Sequence, residues 1–287
     1  MKNLNQKWRA YMRTPQSLFL FLSVSLAAAL TMFAFLFIIA YILVKGLPHL
    51  TPELFSRKYT TENVSLLPAL VNTLFILALS LLFAVPVGIC AAVYLTEYAR
   101  RGNKLVRIVG VTAETLSGIP SIVYGLFGSL FFVKYLGFGL SLLSGALTLS
   151  IMILPLIMRT TEEALKAVPD SYREGSFGLG AGKLRTVFRI VLPCAVPGIL
   201  SGIILGIGRI VGESAALVFT AGTVAEIASG IFSSARTLSV HMYSISGEGQ
   251  YINQTYATAA VLLAVVILIN ALSSYMAKKI GGEYQDG

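Results

Sequence analysis

Charged residues are scarce in this chain. Asp, Glu, Lys and Arg make up only 12% of its 287 residues, whereas 56% are hydrophobic. Soluble domains carry about 25% charged residues, and half that share is too little to cover a surface in contact with water. The composition therefore excludes an ordinary soluble protein and indicates a membrane domain whose spans each need ~20 apolar residues.

Cysteine and histidine are almost absent as well. Cys90 and Cys194 lie near apolar segments without the spacing of metal ligands, and His49 and His241 are isolated residues expected in loops. We therefore expect no metal site, no cofactor and no nucleophile–base set of an enzyme. Acidic residues number 13 against 22 Lys and Arg. In a membrane protein this basic excess is typical of cytoplasmic loops, so nucleic acid is not an expected partner.

Six apolar segments predict an all-α protein with six transmembrane helices, because backbone groups inside hydrocarbon must be hydrogen-bonded within their own segment. The first segment is too long for the apolar region of a signal peptide, so it should be retained. Most Lys and Arg residues lie in segments that are cytoplasmic when both termini are inside, which predicts N-in, C-in topology. The segments run approximately over 18–44, 66–95, 107–133, 140–158, 194–219 and 255–277.

The chain divides into three predicted parts. Residues 1–65 would hold a cytoplasmic N-terminal segment, the first span and an outside loop. Residues 66–277 would form the transmembrane core, and residues 278–287 a cytoplasmic tail. Within the core, Pro120 should kink the third span, since proline in a membrane helix is tolerated at a bend.

The segment 159–193, between the fourth and fifth spans, is long for a loop and predicts a defined structure. Ser171 and Glu174 fit a capping box, which predicts a short helix over 171–179 that ends in a glycine-rich turn. A second amphipathic run over 183–192 leads into the fifth span. This arrangement is typical of a docking element on the cytoplasmic side.

The turn after this helix superficially resembles a nucleotide-binding loop. It contains a Gly-Lys pair at Gly182 and Lys183, but the pattern would also need Gly in place of Phe177 and Ser or Thr in place of Leu184. No strand is expected before it. The chain itself is therefore not expected to bind ATP.

The spacing of the loop resembles the cytoplasmic "EAA" loop of ABC importer permeases, whose pattern is E-A-A-x-x-x-G, nine residues, then I-x-L-P. Two small residues replace the two alanines of that pattern. The resemblance implies that the short helix is a coupling helix, which sits in a groove of an ATP-binding subunit. The residues that match the pattern in position are Glu174, Gly175, Ser176, Gly180, Ile190, Leu192 and Pro193.

Three ionisable residues are expected well inside the spans: Glu114, Arg209 and Glu213. Charges there are costly, so they should face protein or a water-filled path. Arg209 and Glu213 are four residues apart, the spacing of an ion pair on one helix. One interpretation is a structural pair. The other is an anion site, because a guanidinium binds tetrahedral oxyanions bidentately and a carboxylate beside it favours protonated phosphate over sulfate.

The fifth span also carries Gly198, Gly202 and Gly206 at four-residue spacing. Small residues at this spacing let helices approach closely. The stripe predicts either packing at a subunit interface beside the path or ordinary packing within the bundle.

Three further stretches resemble the phosphate-uptake branch of ABC permeases, and specifically the PstA type. Ser121, in the first stretch, is a fourth candidate on the substrate pathway. The similarity runs from about residue 66 to 277. The stretches are Gly118–Gly128, Arg209–Ala216 and Tyr256–Leu263, and the likeness to the PstA type rests on them together with Val93–Tyr98.

This resemblance implies a permease subunit of an ATP-driven phosphate importer in a bacterial cell membrane. The implied partners are a second, PstC-like permease, two copies of a PstB-like ATP-binding subunit and a PstS-like phosphate-binding protein outside the cell, besides membrane lipid. Two alternatives stay open. One is a permease of this architecture for sulfate, molybdate or a phosphonate, and the other is a secondary transporter or intramembrane enzyme that works without an ATPase.

Overall fold

The computed structural model describes residues 15–100, 102 and 104–282; the predicted N-terminal segment before residue 15 and the tail after residue 282 lie outside them. The described residues form helices, 3-10 turns and π-helical segments and contain no strand, which confirms the all-α class. The α-helices are α1 Pro15–Gly46, α2 Leu67–Val93, α3 Lys104–Ser117, α4 Ser121–Gly128, α5 Leu142–Lys166, α6 Asp170–Gly178, α7 Lys183–Thr186, α8 Leu192–Gly212, α9 Ala215–Thr220, α10 Leu238–Gly247 and α11 Ile252–Gly282.

Five continuous helical stretches of the described chain are long and apolar enough to cross a membrane. A sixth crossing results if the bent pair Val106–Ser117 and Ser121–Tyr135 counts as one span. The number of six spans and their orientation therefore stay predictions. The five stretches are Gln16–His49, Leu67–Tyr98, Leu142–Lys166, Lys183–Gly212 and Ile252–Tyr275.

The third predicted span is broken rather than merely kinked. Its two halves, α3 and α4, meet at 103° across residues 118–120. Pro120 has no N–H to donate, and its ring disfavours helical angles at the residue before it, so α3 ends ahead of it. Pro120 has φ −58° and ψ 140° and directly precedes the first residue of α4.

The centre of the bundle is α5, which packs against α2, α4, α8 and α9. Its side chains Ile153 and Ile157 are fully buried. The glycine stripe of α8 packs on the same helix: a Cβ at Gly198 would lie 2.6 Å from Ala164 Cβ, and one at Gly202 would collide with the side chain of Thr160. Gly198 and Gly202 therefore serve packing within this chain, which is one of the two alternatives that the sequence left open.

Residues 167–191, between α5 and α8, are the part of the predicted docking loop that lies outside these two helices, and they are called the 167–191 loop below. The opposite end of the bundle is closed by residues 221–237, which connect α9 to α10 without regular structure. Asn72 of α2 fixes this segment: its amide donates to the carbonyls of Glu226 (2.9 Å) and Arg236 (3.3 Å). Its oxygen accepts a 3.0 Å hydrogen bond from the Ala228 N–H. One buried side chain thus holds three backbone groups of the segment.

His241 was expected in a loop, and this prediction is wrong. It lies in α10 and is fully buried. The guanidinium of Arg236 donates a 3.3 Å hydrogen bond to its Nδ1, and the ring of Tyr59 packs edge-on at 6.0 Å between centroids. Its local sequence gave no indication of this burial, because Tyr59, whose ring packs against it, lies far away in the chain.

Candidate functional site

The docking loop has the predicted helix, but it begins one residue earlier, at Asp170, and ends at Gly178. The predicted capping box is wrong. Pro169 occupies the N-cap position, Ser171 lies inside the first turn, and no side chain caps the helix. Pro169 presets the entry angle, and Asp170 places its negative charge at the helix N-terminus, where it is favourable. The side chain of Glu174 is left exposed.

A tight turn then reverses the chain. Gly180 has φ +81°, a left-handed conformation that glycine adopts without strain. The turn is held from inside by a 2.8 Å hydrogen bond between the buried hydroxyls of Ser176 and Thr186. Beyond it, α7, a π-helical segment and α8 form one continuous helix, Lys183–Gly212, which confirms the second run as an extension of the fifth span.

The turn brings together three residues of the motif that lie far apart in sequence. Ser176, Gly180 and Ile190 line one surface groove, while Leu192 and Pro193 are half-buried where the chain enters α8. Large apolar side chains of the loop remain uncovered. Leu179, which lines the groove, is 91% exposed, and Tyr172 and Phe177 of α6 are exposed as well. Leu184 and Phe188 are also exposed, but they line a separate surface with Tyr94 and Tyr98. A monomer rarely leaves such a patch open unless it binds another surface.

One contact of the loop was missed by the sequence analysis. Arg173 of α6 forms a salt bridge with Glu97, which lies in the π-helical turn Tyr94–Tyr98 after α2. The distance between Nη2 and Oε1 is 2.7 Å, and the two residues are 76 positions apart. No spacing rule relates positions so distant, so only the fold could have identified this pair.

The expected pair of Arg209 and Glu213 on one helix is wrong. α8 ends at Gly212, and Glu213 has the extended angles φ −76° and ψ 127°. Its Oε1 accepts a 3.1 Å hydrogen bond from the Ala216 N–H, in the first turn of α9, and only 9% of the residue is exposed. The carboxylate thus satisfies a free amide at a helix start, and no ion pair joins it to Arg209.

Arg209 itself is half-buried, three residues before the end of α8. Its guanidinium makes no hydrogen bond or ion pair with the described residues, and it lies within electrostatic reach of Tyr124. The neighbouring Gly208 and Gly212 have open space where a side chain would extend. One turn earlier, Leu205 is 59% exposed. This side of α8 is therefore uncovered by the described chain and carries a free cation.

The other two pathway candidates lie on the two halves of the broken span. Glu114 is on α3 with its side chain 71% exposed, 3.5 Å from the guanidinium of Arg159 at the loop end of α5. It lies within the bent pair Val106–Ser117 and Ser121–Tyr135, so its place inside a span stays a prediction. Ser121 begins α4, one turn before Tyr124, and is half-buried. Ser121 is thus on the same helix as Tyr124, which lies within electrostatic reach of Arg209. Glu114 instead pairs with Arg159, at the end of the bundle that carries the 167–191 loop.

The break before α4 and the break before α9 lie next to each other. α4 and α9 both begin just after a break, and they touch so closely that a Cβ at Gly125 would lie 2.8 Å from Ala216 Cα. Broken helices expose backbone amides and carbonyls within the membrane, where they are tolerated only inside protein or along a polar cavity. Among the described residues, no group of three His, Cys, Asp or Glu side chains could hold a metal ion.

Residues 84–282 match the family described as the binding-protein-dependent transport system inner membrane component. The match covers more than half of the chain, so the protein belongs to this family and is a permease subunit of an ABC importer. Its apolar helices agree with a multi-pass protein of the bacterial cell membrane.

Individual relatives narrow the comparison. The chain is 33% identical over 260 residues to the probable ABC transporter permease protein YqgI of Bacillus subtilis (strain 168), with 84% of this chain and 88% of that protein covered. It is 37% identical over 205 residues to the phosphate transport system permease protein PstA 1 of Mycobacterium tuberculosis (strain CDC 1551 / Oshkosh), covering 70% and 67%. It is 31% identical over 263 residues to the phosphate transport system permease protein PstC of Mesorhizobium japonicum, covering 82% and 79%.

Solved structures agree on the fold. A bacterial alginate ABC transporter in complex with an alginate pentasaccharide-bound periplasmic protein matches 98% of this chain and 97% of its own chain, with a TM-score of 0.64 and 16% identity. The inward-facing MetNI methionine ABC transporter matches 74% of this chain and 93% of its own, with a TM-score of 0.58 and 21% identity. The ABC importer permease fold that the sequence predicted is confirmed, and at these identities the likeness concerns the fold alone.

Proposed function

We propose that this chain is a membrane-spanning permease subunit of an ATP-driven importer of inorganic phosphate. Relatives at 31% to 37% identity that are named phosphate transport system permeases support this substrate. The observation that carries the proposal is Arg209, a cation without a partner in the described chain, next to open space at a helix break.

The chemistry of Arg209 suits this substrate. A guanidinium presents its donors in a rigid fork that matches two oxygens of a tetrahedral anion. Ser121, on the same helix as Tyr124, the electrostatic neighbour of Arg209, supplies a hydroxyl group, whereas the Tyr124 hydroxyl already donates to the Leu116 carbonyl. Glu213 lies beyond the end of α8 as a largely buried carboxylate. In the proposed path, phosphate replaces water around Arg209, and Glu213 disfavours an anion that carries no proton.

The 167–191 loop faces the cytoplasm in this proposal and docks on an ATP-binding subunit. Its exposed apolar side chains, Leu179 foremost, form the contact, together with Glu174 and Gly175 of the motif. ATP-driven closure of that partner moves the loop, and the bundle alternates between inward-open and outward-open states. The complete importer would contain a second permease, two ATP-binding subunits and an extracytoplasmic phosphate-binding protein.

The test is phosphate uptake per assembled complex in reconstituted vesicles. Arg209→Gln should reduce uptake at least tenfold while the complex still assembles, and Arg209→Lys should restore only part of it, because an ammonium lacks the planar fork. Arg57→Gln, at an exposed position without an ion pair, is the matched control. Uptake near the wild-type value in Arg209→Gln would end the anion-site proposal.

Competition experiments separate phosphate from other oxyanions. Sulfate, molybdate and a phosphonate are added in excess while labelled phosphate uptake is measured in the wild-type complex. Uninhibited uptake supports phosphate as the substrate. Strong inhibition by one of these anions, together with transport of that anion itself, would instead assign the same site to it.

A further inference from the structure

Arg173 is the most extensively bonded cation of the docking loop. Its Nε and Nη2 both donate to Oε1 of Glu97, at 3.2 and 2.7 Å. Nη1 donates to the carbonyl of Val168 at 2.8 Å, and Nη2 to the carbonyl of Leu165 at 2.9 Å. Nη1 also reaches a carboxylate oxygen of Asp170 at 3.2 Å. One side chain thus joins three parts of the chain: the loop helix α6, the end of α5 and the turn after α2.

The pair is unlike the other ion pairs at this end of the bundle. The side chains of Arg173 and Glu97 are 15% and 8% exposed, whereas Arg159 and Glu163 are 57% and 66% exposed. Burying two charges costs more than their attraction returns unless further hydrogen bonds satisfy them. Arg173 meets that condition with its two backbone carbonyls. A contact built at this cost is expected to hold a fixed geometry.

The position of Glu97 connects this contact to the opposite end of the bundle. It lies at the end of the continuous helix Leu67–Tyr98, which is long enough to cross the membrane. Near its other end, Asn72 and Thr73 hold the 221–237 segment and the start of α10. A displacement applied at Glu97 is therefore passed along one continuous helix towards the opposite end of the bundle.

We propose that the Arg173–Glu97 pair is the link that transmits movement of the docking helix α6 to α2, so that it couples ATP hydrolysis to transport. The proposal rests on the proposed function, in which α6 docks on an ATP-binding subunit. Arg173 is a positioning residue: it touches neither substrate nor nucleotide. The docking face keeps the partner bound, and Arg173 passes the resulting displacement to the helix that has to move.

The geometry also explains why arginine is required. A lysine has a single charged nitrogen at the end of its chain and cannot reach Glu97 and both carbonyls at once. Arg173→Lys keeps the charge and nearly the volume but loses the planar fork. Glu97→Gln keeps the shape but loses the charge. Both should leave α6 folded and docked while the link loosens.

The experiment uses the complete reconstituted importer. Phosphate transported per ATP hydrolysed is measured for wild type, Arg173→Lys, Glu97→Gln and the control Arg159→Gln, which removes two exposed ion pairs, with Glu114 and with Glu163. ATP hydrolysis in the two link variants should stay within about twofold of wild type, while the transport ratio falls at least fivefold; the control should keep its ratio. A ratio that stays at the wild-type value while assembly and transport fall together, in both link variants, would reduce the pair to scaffolding and overturn the proposal.

A second measurement does not depend on the substrate. With Cys90 and Cys194 replaced by serine, a fluorescent label is attached at Ser171 of α6 or at Leu82 of α2, both of which are exposed and neither of which belongs to the proposed docking contact. ATP should change both signals in wild type but only the Ser171 signal in Arg173→Lys. An unchanged Leu82 response in that variant would contradict the link even if the importer carried another anion. Absence of phosphate transport with an intact ATP response would refute the proposed substrate alone.

Discussion

The hydroxyl of Tyr124 donates a 2.7 Å hydrogen bond to the carbonyl of Leu116, across the break between α3 and α4. Leu116 belongs to the last turn of α3, whose final carbonyls have no partner within the helix. The tyrosine thus satisfies one of these groups and fixes how the two half-helices meet. Because Tyr124 is only 5% exposed, water does not replace it easily.

Tyr124→Phe should therefore destabilise the protein by about 1 kcal/mol, since the ring stays buried while the carbonyl of Leu116 loses one of its two hydrogen bonds and keeps only the one from the Ile119 N–H (3.1 Å). The measurement is the thermal unfolding temperature in detergent. Tyr243→Phe is the control, because Tyr243 is 61% exposed and its hydroxyl bonds to none of the described residues. Equal unfolding temperatures for the two variants would show that the bridge across the break contributes nothing.

Glu213 has two roles to be separated: it accepts a hydrogen bond at the start of α9, and it is proposed to repel anions that carry no proton. As the cap of α9, it needs only an acceptor oxygen, so Glu213→Gln should remain close to wild type in stability. Glu213→Ala removes the acceptor and should cost ~1 kcal/mol, as the loss of a capping side chain typically does. Unfolding measurements on both variants test this. A large loss in Glu213→Gln would show that the negative charge matters for the fold.

The same glutamine variant tests the proton-reading role proposed for the carboxylate. If Glu213 repels unprotonated anions, sulfate should compete better for phosphate uptake in Glu213→Gln than in wild type. Sulfate competition is measured per assembled complex, as for Arg209. An unchanged sulfate effect would leave Glu213 as a helix cap only.

Two glycines on α8 differ sharply in their surroundings. A methyl group at Gly202 would overlap the side chain of Thr160 and lie 2.6 Å from its Cβ, whereas one at Gly208 meets no atom within 4 Å. Gly202→Ala should force α8 away from α5 and destabilise the protein by about 1 to 3 kcal/mol, as overpacking does. Gly208→Ala should be neutral or stabilising, because alanine favours a helix by about 1 kcal/mol over glycine. The amount of folded chain in membranes and its unfolding temperature measure both.

The buried His241 is expected to make the stability of the protein depend on pH. Burial, and then the positive charge of Arg236, lower the pKa of His241 from its ordinary value of 6.5 to about 4, although the Val64 carbonyl opposes this. The residue lies outside the helices that could cross the membrane. Between pH 6.5 and 4 the unfolded chain binds a proton that the folded protein does not, so stability falls as the pH falls through this window. The loss should reach about 3 kcal/mol by pH 4 and be absent above pH 7.

The check is the free energy of unfolding measured at several pH values. His241→Asn should flatten the dependence between pH 7 and 4, although it also lowers stability at neutral pH. His49→Asn, at the other histidine, should preserve the slope, because His241 is still present. A slope that survives in His241→Asn would assign it to other groups.

Sequence patterns located the helices and the docking loop well, because both depend on local features. Apolar runs of membrane length, the turn glycine Gly180 and the spacing from Glu174 to Pro193 are all readable along the chain. The sequence predicted the position of the break at Pro120 correctly, but it predicted a kink of the span rather than two separate helices. A proline indicates a bend but not its size of 103°, and the contact of α4 with α9 that accompanies this bend is contained in no local pattern.

The charged residues were harder to predict for the same reason. Arg209 and Glu213 have the spacing of a helical pair, but the helix ends between them, and the free amide of Ala216 takes the carboxylate. Arg173 and Glu97 carry no sequence signal at all, although they form the most buried ion pair of the described chain. Spacing predicts contacts only within one element, whereas the decisive ones here join separate elements.

Asn72 and Thr73 also have a consequence for how the protein is made. Asn72 bonds to residues more than 150 positions later, and Thr73 accepts the Leu238 N–H at 2.8 Å. Asn72 enters the bilayer early in synthesis, and its amide meets these partners only when almost the whole chain has left the ribosome, whereas the hydroxyl of Thr73 donates to the Ala69 carbonyl of its own helix (2.7 Å). An unpaired amide in hydrocarbon is unfavourable by several kcal/mol. A chain truncated before residue 226 therefore exposes a polar defect in α2, by which membrane proteases could distinguish incomplete subunits from finished ones.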